Sequence, residues 1–127
     1  MNLVILTILI FSIRIIHGNS QNEGVTELNN DNFSKFILDQ EHVFVMFHSP
    51  NCIHSLKLLP IIKQVAKMLA DQPKLTEIPL KIAIVNIIKE TDLAYRFDIK
   101  DTPKLKFFRE NNLVYSYDGP RDSVDCK

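Results

Sequence analysis

The sequence predicts a single α/β domain built around a central sheet, because two continuous apolar segments alternate with segments of helical periodicity. The apolar segments are "HVFVMFH" at residues 42–48 and "LKIAIVNII" at 80–88, both rich in residues that favour strands. Continuous apolar runs are typical of strands that are buried on both faces. Two further strands joined by "ENN" give the predicted order β-α-β-α-β-α-β-β, an α/β arrangement of helices around a mixed sheet.

The first predicted elements are a short apolar patch around Val25 and Leu28 and a helix within "NNDNFSKFILDQ". An Asn or Asp at positions 30–32 is expected to cap this helix, because such side chains accept hydrogen bonds from its first free N–H groups. The apolar residues of the segment share one helical face: Phe33, Phe36 and Ile37.

A longer helix is predicted after the first buried strand, where Pro50 breaks the chain and Cys52 begins the helical pattern. It extends to about Ala70, and Pro60 inside it is expected to produce a kink. Apolar residues recur along it at helical spacing: Leu58, Ile61, Ile62, Val65 and Leu69. A short helix in "TDLAYRF", capped by Thr91, follows the second buried strand, and "KLKFFRE" and "LVYSYDG" then form a hairpin.

The composition is that of one globular domain without a strong electrostatic bias. The chain has 127 residues and no net formal charge, with 24% charged and 46% hydrophobic residues. This length fits a single domain, and a balanced charge gives no long-range attraction to nucleic acid or to anionic membranes. Because no basic cluster is interleaved with aromatic residues, nucleic-acid binding is not expected.

The N-terminal segment differs from the rest, because residues 3–16 form an apolar run that only Arg14 interrupts. The run is shorter than the ~20 residues of a membrane-spanning helix and is typical of a secretory signal peptide. The alternative is an uncleaved anchor. After signal removal no membrane association is expected, and we predict a protein of the endoplasmic reticulum lumen or a secreted one. The expected divisions are a signal peptide at 1–18, a polar spacer at 19–24, a folded domain at 25–121 and a short tail at 122–127.

The two cysteines, Cys52 and Cys126, allow several interpretations. Cys52 begins a predicted helix, where the N-terminal dipole stabilises a thiolate, and a protonated His54 would add positive charge. A reactive thiol with a lowered pKa is therefore the preferred interpretation. An inert buried cysteine and a single structural disulfide between the two residues are the alternatives. Cys126 is expected to be a free tail thiol or to pair with another chain, with a role in resolving Cys52 as the lesser alternative.

Four segments, "DNFSKF", "FVMFHSPNCIHS", "DLAYRFDIKDTPKLKFF" and "YDGPR", resemble the thioredoxin superfamily, and within it the catalytic-type domain of protein disulfide isomerase. The resemblance covers about residues 25–121. It implies a thioredoxin-like fold, a cis peptide bond before Pro103, and contacts of Thr102 and Pro103 with an extended substrate peptide. In the family, the arginine at the position of Arg121 can tune the resolving thiol. Because Ser55 replaces that thiol, Arg121 is expected to be a surface charge, with modulation of the active site as the alternative. The family's last helix is expected to be absent, since the remaining "RDSVDCK" is too short to form it.

The departures from the family pattern concern the chemistry of the site. Where the family has W-C-G-H-C, this chain has "NCIHS", so Cys52 and His54 are kept while Ser55 replaces the resolving cysteine. Met46 and Ile84 occupy the positions of the family's buried glutamate and lysine. A buried carboxylate without its cation is costly, so the loss of both charges together agrees with the loss of the second thiol.

These features predict a secretory-pathway domain that forms mixed disulfides with cysteine-containing client polypeptides through Cys52, with Ser55 and His54 in the same motif. A client thiol, glutathione or another oxidoreductase would release the mixed disulfide. No cofactor or metal is expected. The alternatives are a non-catalytic, chaperone-like peptide-binding module and a truncated inactive product. Asn32 lies in the sequon Asn32-Phe33-Ser34 and is a predicted glycosylation site.

Overall fold

The computed structural model of the chain describes residues 24–117. Five strands form one sheet in the order β1-β3-β2-β4-β5. The strands β1, β3 and β2 are parallel to one another, whereas β4 and β5 run antiparallel to their neighbours. The elements in chain order are β1 (Val25–Glu27), α1 (Phe33–Asp39), β2 (His42–His48), α2 (Ile53–Asp71), a 3₁₀ turn (Pro73–Leu75), β3 (Leu80–Asn86), α3 (Thr91–Arg96), β4 (Lys104–Arg109) and β5 (Asn112–Tyr117).

This architecture confirms the predicted α/β fold with a mixed central sheet, and the predicted order of strands and helices is observed. The two apolar segments become the adjacent strands β2 and β3 in the middle of the sheet. The β4–β5 hairpin turns at Glu110 and Asn111, which both have positive φ, 47° and 67°. Such backbone angles are those of the tight turns that match the twist of a hairpin. Within residues 24–117 no helix follows β5, and residues 118–127 lie outside the described part.

Alternate residues of β2 point to the two faces of the sheet and build two apolar layers. Val43, Val45 and Phe47 enter a core whose other buried residues include Phe33 and Ile37 of α1 and Leu93 of α3. Met46 enters a second core on the opposite face, where Ile62 and Ala66 of α2 are buried against it. The helix α2, which follows Cys52, therefore packs on one face of the sheet, and α1 and α3 pack on the other.

Gly24 shows how closely the edge strand approaches α2. Its φ is +85°, and a Cβ atom at this position would lie 2.4 Å from the carbonyl oxygen of Ala66. A side chain other than hydrogen has no room there, and L-residues rarely adopt this backbone conformation. Glycine is therefore required where the chain enters β1.

Three local expectations differ from the structure. Asn32 is at the N-cap position of α1 but its side chain makes no cap hydrogen bond; its Oδ1 accepts instead from the N–H of Asn29 at 2.8 Å. Thr91 is the first residue of α3 rather than its cap, because Glu90 occupies the cap position. On α2, Ile61 and Val65 are 55% and 41% exposed, because a helix on one face of the sheet buries only a narrow stripe.

Candidate functional site

Cys52 occupies the N-cap position of α2, with an extended backbone conformation that ends the loop from β2. Its N–H donates to the carbonyl oxygen of Ser49 at 3.2 Å, and its own carbonyl accepts from the N–H of Leu56 at 3.0 Å. The first turn of the helix thus begins at Cys52. The positive end of the helix dipole lies at this residue, which favours a negative charge on its sulfur when the thiol is reduced.

Thr102 lies against Cys52, and the peptide bond before Pro103 is cis, as the resemblance implied. The Sγ atom of Cys52 lies 3.3 Å from the carbonyl oxygen of Thr102, and the Thr102–Pro103 peptide bond is cis. A reduced thiol at this position donates a hydrogen bond to that carbonyl. Cys52 and Thr102 are both buried, with exposures of 0% and 1%.

Ser55 is also part of this cluster, and its role in the structure is a local one. Its Oγ accepts a hydrogen bond from the N–H of Ser49 at 3.2 Å, and the side chain is buried. The hydroxyl therefore ties the end of the β2 loop to the first turn of α2. An alcohol does not form disulfides, so Ser55 cannot release a mixed disulfide on Cys52. His54, in the same turn, is half-buried.

The sulfur of Cys52 is part of a disulfide in this structure, and no free cysteine occurs among the described residues. A disulfide at Cys52 was one of the alternatives that the sequence left open, and the reactivity of the reduced thiol stays a prediction. The disulfide removes the titrating proton, so the expected lowering of the thiol pKa applies only to a reduced form. The only other cysteine of the sequence, Cys126, lies outside the described residues.

The buried pair beneath the motif is apolar, as its sequence positions indicated. Met46 and Ile84 are direct neighbours on the parallel strands β2 and β3, and their exposures are 0% and 5%. No carboxylate or amine stands at either position to receive or supply a proton. Because Met46 and Ile84 are neighbours, the loss of both family charges at these positions leaves no buried charge without its partner.

His48, the last residue of β2, is a buried titratable group that the sequence motifs did not single out. Its Nε2 atom has no hydrogen-bond partner within the described part of the chain. Burial lowers the pKa of His48 below its ordinary value; Glu27 opposes this shift, while Lys63 and Lys89 add to it. Burial therefore favours the neutral imidazole more than in an ordinary histidine.

A cavity of about 200 Å³ borders Cys52. Lys100 and Ile88 line it together with Cys52 and Thr102. They come from the loops after α3 and β3, far from Cys52 in sequence. Lys100 lies two residues before Thr102 in a segment that carries the family resemblance, but the sequence did not single out either residue, because their place beside Cys52 depends on the topology.

The remaining predicted site residues lie elsewhere. Asn32 is exposed at the start of α1, where its side chain contacts Asn29 and Glu27. Arg121 lies outside the described residues.

Between residues 24 and 117 the structure contains no group of His, Cys, Asp and Glu side chains arranged to hold a metal ion. The same range contains no helix with the length and apolarity needed to cross a membrane.

The fold and the site together define a thioredoxin-like domain with one cysteine at the start of the helix after the second strand and a cis-proline loop facing it. Residues 24–126 match the Thioredoxin family, and the chain belongs to this family. It is 40% identical to protein disulfide-isomerase A4 of Bos taurus over 95 residues, which make up 75% of this chain and 14% of that protein. It is 38% identical to protein disulfide-isomerase of Drosophila melanogaster over 103 residues, 81% of this chain and 20% of that protein.

Solved structures lead to the same group. The first thioredoxin domain of mouse protein disulfide-isomerase A4 matches with a TM-score of 0.68 and 29% identity, over 80% of this chain and 69% of that one. Human ERp44 form I matches with a TM-score of 0.68 and 25% identity, over 76% of this chain and 26% of that one. The chain is thus a thioredoxin domain similar to those of protein disulfide isomerases, and it spans only 14% and 20% of the two curated relatives above.

Proposed function

We propose that this domain carries out thiol–disulfide exchange with cysteine-containing client polypeptides in the secretory pathway, through a mixed disulfide at Cys52. The observation that carries the proposal is the position of Cys52. Its sulfur lies at the N-terminus of α2 and 3.3 Å from the Thr102 carbonyl beside the cis peptide bond. Similarity to protein disulfide isomerases supports the class of reaction and, with the apolar N-terminal run, the compartment.

The exchange step conserves electrons between the partners. The reduced Cys52 thiolate attacks one sulfur of a client disulfide, a new bond forms to Cys52, and the second client sulfur leaves as a thiolate that takes up a proton. Because Ser55 supplies no second thiol, the mixed disulfide is released by a client thiol, by glutathione or by another oxidoreductase. When Cys52 starts in its disulfide, an external thiol must first reduce that bond. Since the sulfur is buried, the groups that cover it must also move.

Thr102 and Pro103 are proposed to position the client. The residue before the cis-proline lies two residues before the start of β4, where an extended peptide can pair with the backbone as an additional strand segment. His54, two residues after Cys52 in the first turn of α2, is proposed to favour the thiolate by its charge when protonated.

The rival function is a non-catalytic peptide-binding module. The observation that favours it is the complete burial of Cys52 together with its disulfide, which shields the sulfur from a client. In this case client binding depends on exposed apolar groups, such as Tyr115 and Tyr117 of β5, with exposures of 57% and 44%.

A trapping experiment separates the two functions. The full chain, reduced with dithiothreitol and desalted, is mixed with a peptide that carries one internal disulfide, and adducts are resolved on a non-reducing gel. We expect an adduct with the natural chain and with Cys126→Ser, and none with the double variant Cys52→Ser/Cys126→Ser, since Cys126 could itself react in Cys52→Ser alone. Absence of an adduct from reduced Cys126→Ser would refute the proposal. Binding of a cysteine-free peptide that survives alkylation of Cys52 would support the module instead.

A further inference from the structure

The cavity beside Cys52 has the composition of a binding site for the group next to a reacting sulfur. Its volume of about 200 Å³ has room for several water molecules or one residue of a ligand. Cys52 is one of its lining residues, so a group that reaches the Cys52 sulfur from this side contacts the same walls. Its walls include Asn51, Cys52, Ile87, Ile88, Lys100 and Thr102.

The walls combine apolar, polar and charged groups. Ile88 is 54% exposed and Ile87 is half-buried, so together they offer apolar surface to an aliphatic stem. Asn51 and Thr102 provide polar groups close to the reacting atoms. Lys100 is the cationic side chain of this wall.

Lys100 is able to exchange its present partner for a ligand. Its Nζ lies 3.1 Å from Oδ1 of Asp98, and both side chains are 77% exposed. Ion pairs this exposed contribute little to stability, because water screens them. A carboxylate from a bound molecule can therefore replace Asp98 at little cost, while Asp98 returns to water.

We propose that Lys100 makes this cavity selective for disulfides and thiols that carry a carboxylate near the reacting sulfur, with glutathione as the small-molecule example. The inference rests on the proposed exchange at Cys52. The carboxylate pairs with the Lys100 ammonium, the aliphatic part lies on Ile87 and Ile88, and the sulfur reaches the Cys52 sulfur. The reduced Cys52 thiolate then forms a mixed disulfide with one half of the disulfide, and the other half leaves as a thiolate.

The test compares three disulfides that differ in charge: oxidised glutathione with carboxylates, cystamine with amines, and neutral hydroxyethyl disulfide. Reduced full-length chain is mixed with each, and the rate of adduct formation on Cys52 is followed by mass spectrometry. We expect the natural chain to react faster with oxidised glutathione than with cystamine. Lys100→Gln should lower this rate ratio about threefold, the size of one exposed charge contact.

Two variants control the comparison. Lys35→Gln removes another exposed, ion-paired lysine, bonded to Asp39 at 2.7 Å, which does not line the cavity, and it should leave the ratio unchanged. Lys100→Arg keeps the charge and should retain most of the natural ratio. High salt should lower the natural ratio toward that of Lys100→Gln, because exposed charge contacts are screened.

The outcomes distinguish this inference from the proposed function. If no disulfide modifies Cys52, both are overturned. If hydroxyethyl disulfide modifies Cys52 at equal rates in all variants, the exchange function stands. In that case an unchanged glutathione-to-cystamine ratio in Lys100→Gln overturns the selectivity alone.

Discussion

Cys52 and Ser55, which the sequence resemblance aligns with the two cysteines of dithiol family members, make different contacts in the structure. Cys52 has its sulfur at the Thr102 carbonyl, while Ser55 uses its hydroxyl to accept from the Ser49 N–H. The hydrogen bond explains why serine is well accommodated at a buried position, since an unpaired buried hydroxyl would be costly. Of these two residues, only Cys52 has a sulfur atom that can take part in disulfide exchange.

Restoring the second thiol should restore only part of the dithiol activity. Ser55→Cys is expected to give measurable turnover in a glutathione-coupled reduction of hydroxyethyl disulfide, at a stability cost of about 1 kcal/mol for the lost Ser49 bond. Turnover should stay low, because Met46 and Ile84 leave no buried proton carrier. Adding Met46→Glu and Ile84→Lys together should raise it further. Full dithiol-type turnover from Ser55→Cys alone would show that these two positions are unimportant.

His48 should make stability depend on pH. Burial lowers the pKa of His48 in the folded state relative to the ordinary value of 6.5, so the unfolded chain binds the proton more readily. Stability is therefore fully present above pH ~6.5 and is lost as the pH falls from there through the folded pKa. We expect a lower urea midpoint at pH 5.0 than at pH 7.5, and a smaller difference in His48→Phe. An equal loss in both chains would assign the acid sensitivity to other groups.

Asn32 is predicted to carry a glycan when the chain is made in a secretory cell. The residue is exposed, its Oδ1 accepts from Asn29, and its Nδ2 makes only a long contact of 3.4 Å to the Glu27 carbonyl. A glycosylated amide keeps the oxygen and one N–H, so both contacts are compatible with the modification. A glycosidase-sensitive mass shift is expected for the natural chain and for Thr26→Ser, but not for Asn32→Gln or Ser34→Ala. Absence of the shift from a secreted natural chain would contradict this.

At the scale of elements, the strands were predictable and the surroundings of α2 were not. The segment "HVFVMFH" became β2 with the same bounds, because a continuous apolar run between polar residues leaves few other places to bury it. The helix after Cys52 was also predicted within one residue at each end. The exposure of Ile61 and Val65 was not, since periodicity marks an apolar face but not how much of it a neighbour covers.

Gly24, where the chain enters β1, lies against the backbone of α2 at Ala66. Gly24→Ala would place a methyl group 2.4 Å from the Ala66 carbonyl oxygen at a φ of +85°, so β1 or α2 must shift. We expect the free energy of unfolding in urea to fall by at least about 1 kcal/mol. Lys35→Ala, on an exposed helix face, serves as the control and should change it by less than about half as much. If Gly24→Ala leaves the free energy of unfolding unchanged, the start of β1 is loosely packed against α2.

At the scale of the whole molecule, one end of the sheet brings distant segments of the chain together. On one sheet face, part of the apolar surface stays exposed within residues 24–117. The cross-strand neighbours Phe44, Phe107 and Tyr115 lie in one row on the α2 side of the sheet, and Tyr115 is more than half exposed. Apolar surface on this face is therefore exposed at Tyr115. Family resemblance identified the segment that holds Thr102 and Pro103, and Lys100 lies in the same segment. Its place in the wall of the cavity beside Cys52 could not be predicted, because it depends on tertiary packing.

The pairing of Cys52 decides between catalysis and structure for the whole chain. Its sulfur is in a disulfide, and an isolated chain has only Cys126 as a second cysteine. We therefore expect peptide mapping of the oxidised monomer, without reduction, to yield a Cys52–Cys126 linked peptide. A dimer joined through Cys126 with Cys52 free would contradict this expectation and support the tail as a tether between chains.

The reducibility of that bridge determines its role. A bridge between residues this far apart stabilises by about 4 kcal/mol in the chain-entropy model when it acts as a structural staple, and it would resist millimolar glutathione. A bridge that takes part in exchange is reduced readily under the same conditions, because an attacking thiol must reach Cys52 for the proposed reaction to run. We expect ready reduction and a Cys126→Ser chain whose unfolding free energy falls by clearly less than about 4 kcal/mol. Resistance to glutathione together with a loss of that full size would make Cys52 a structural residue, and exchange through it would be excluded.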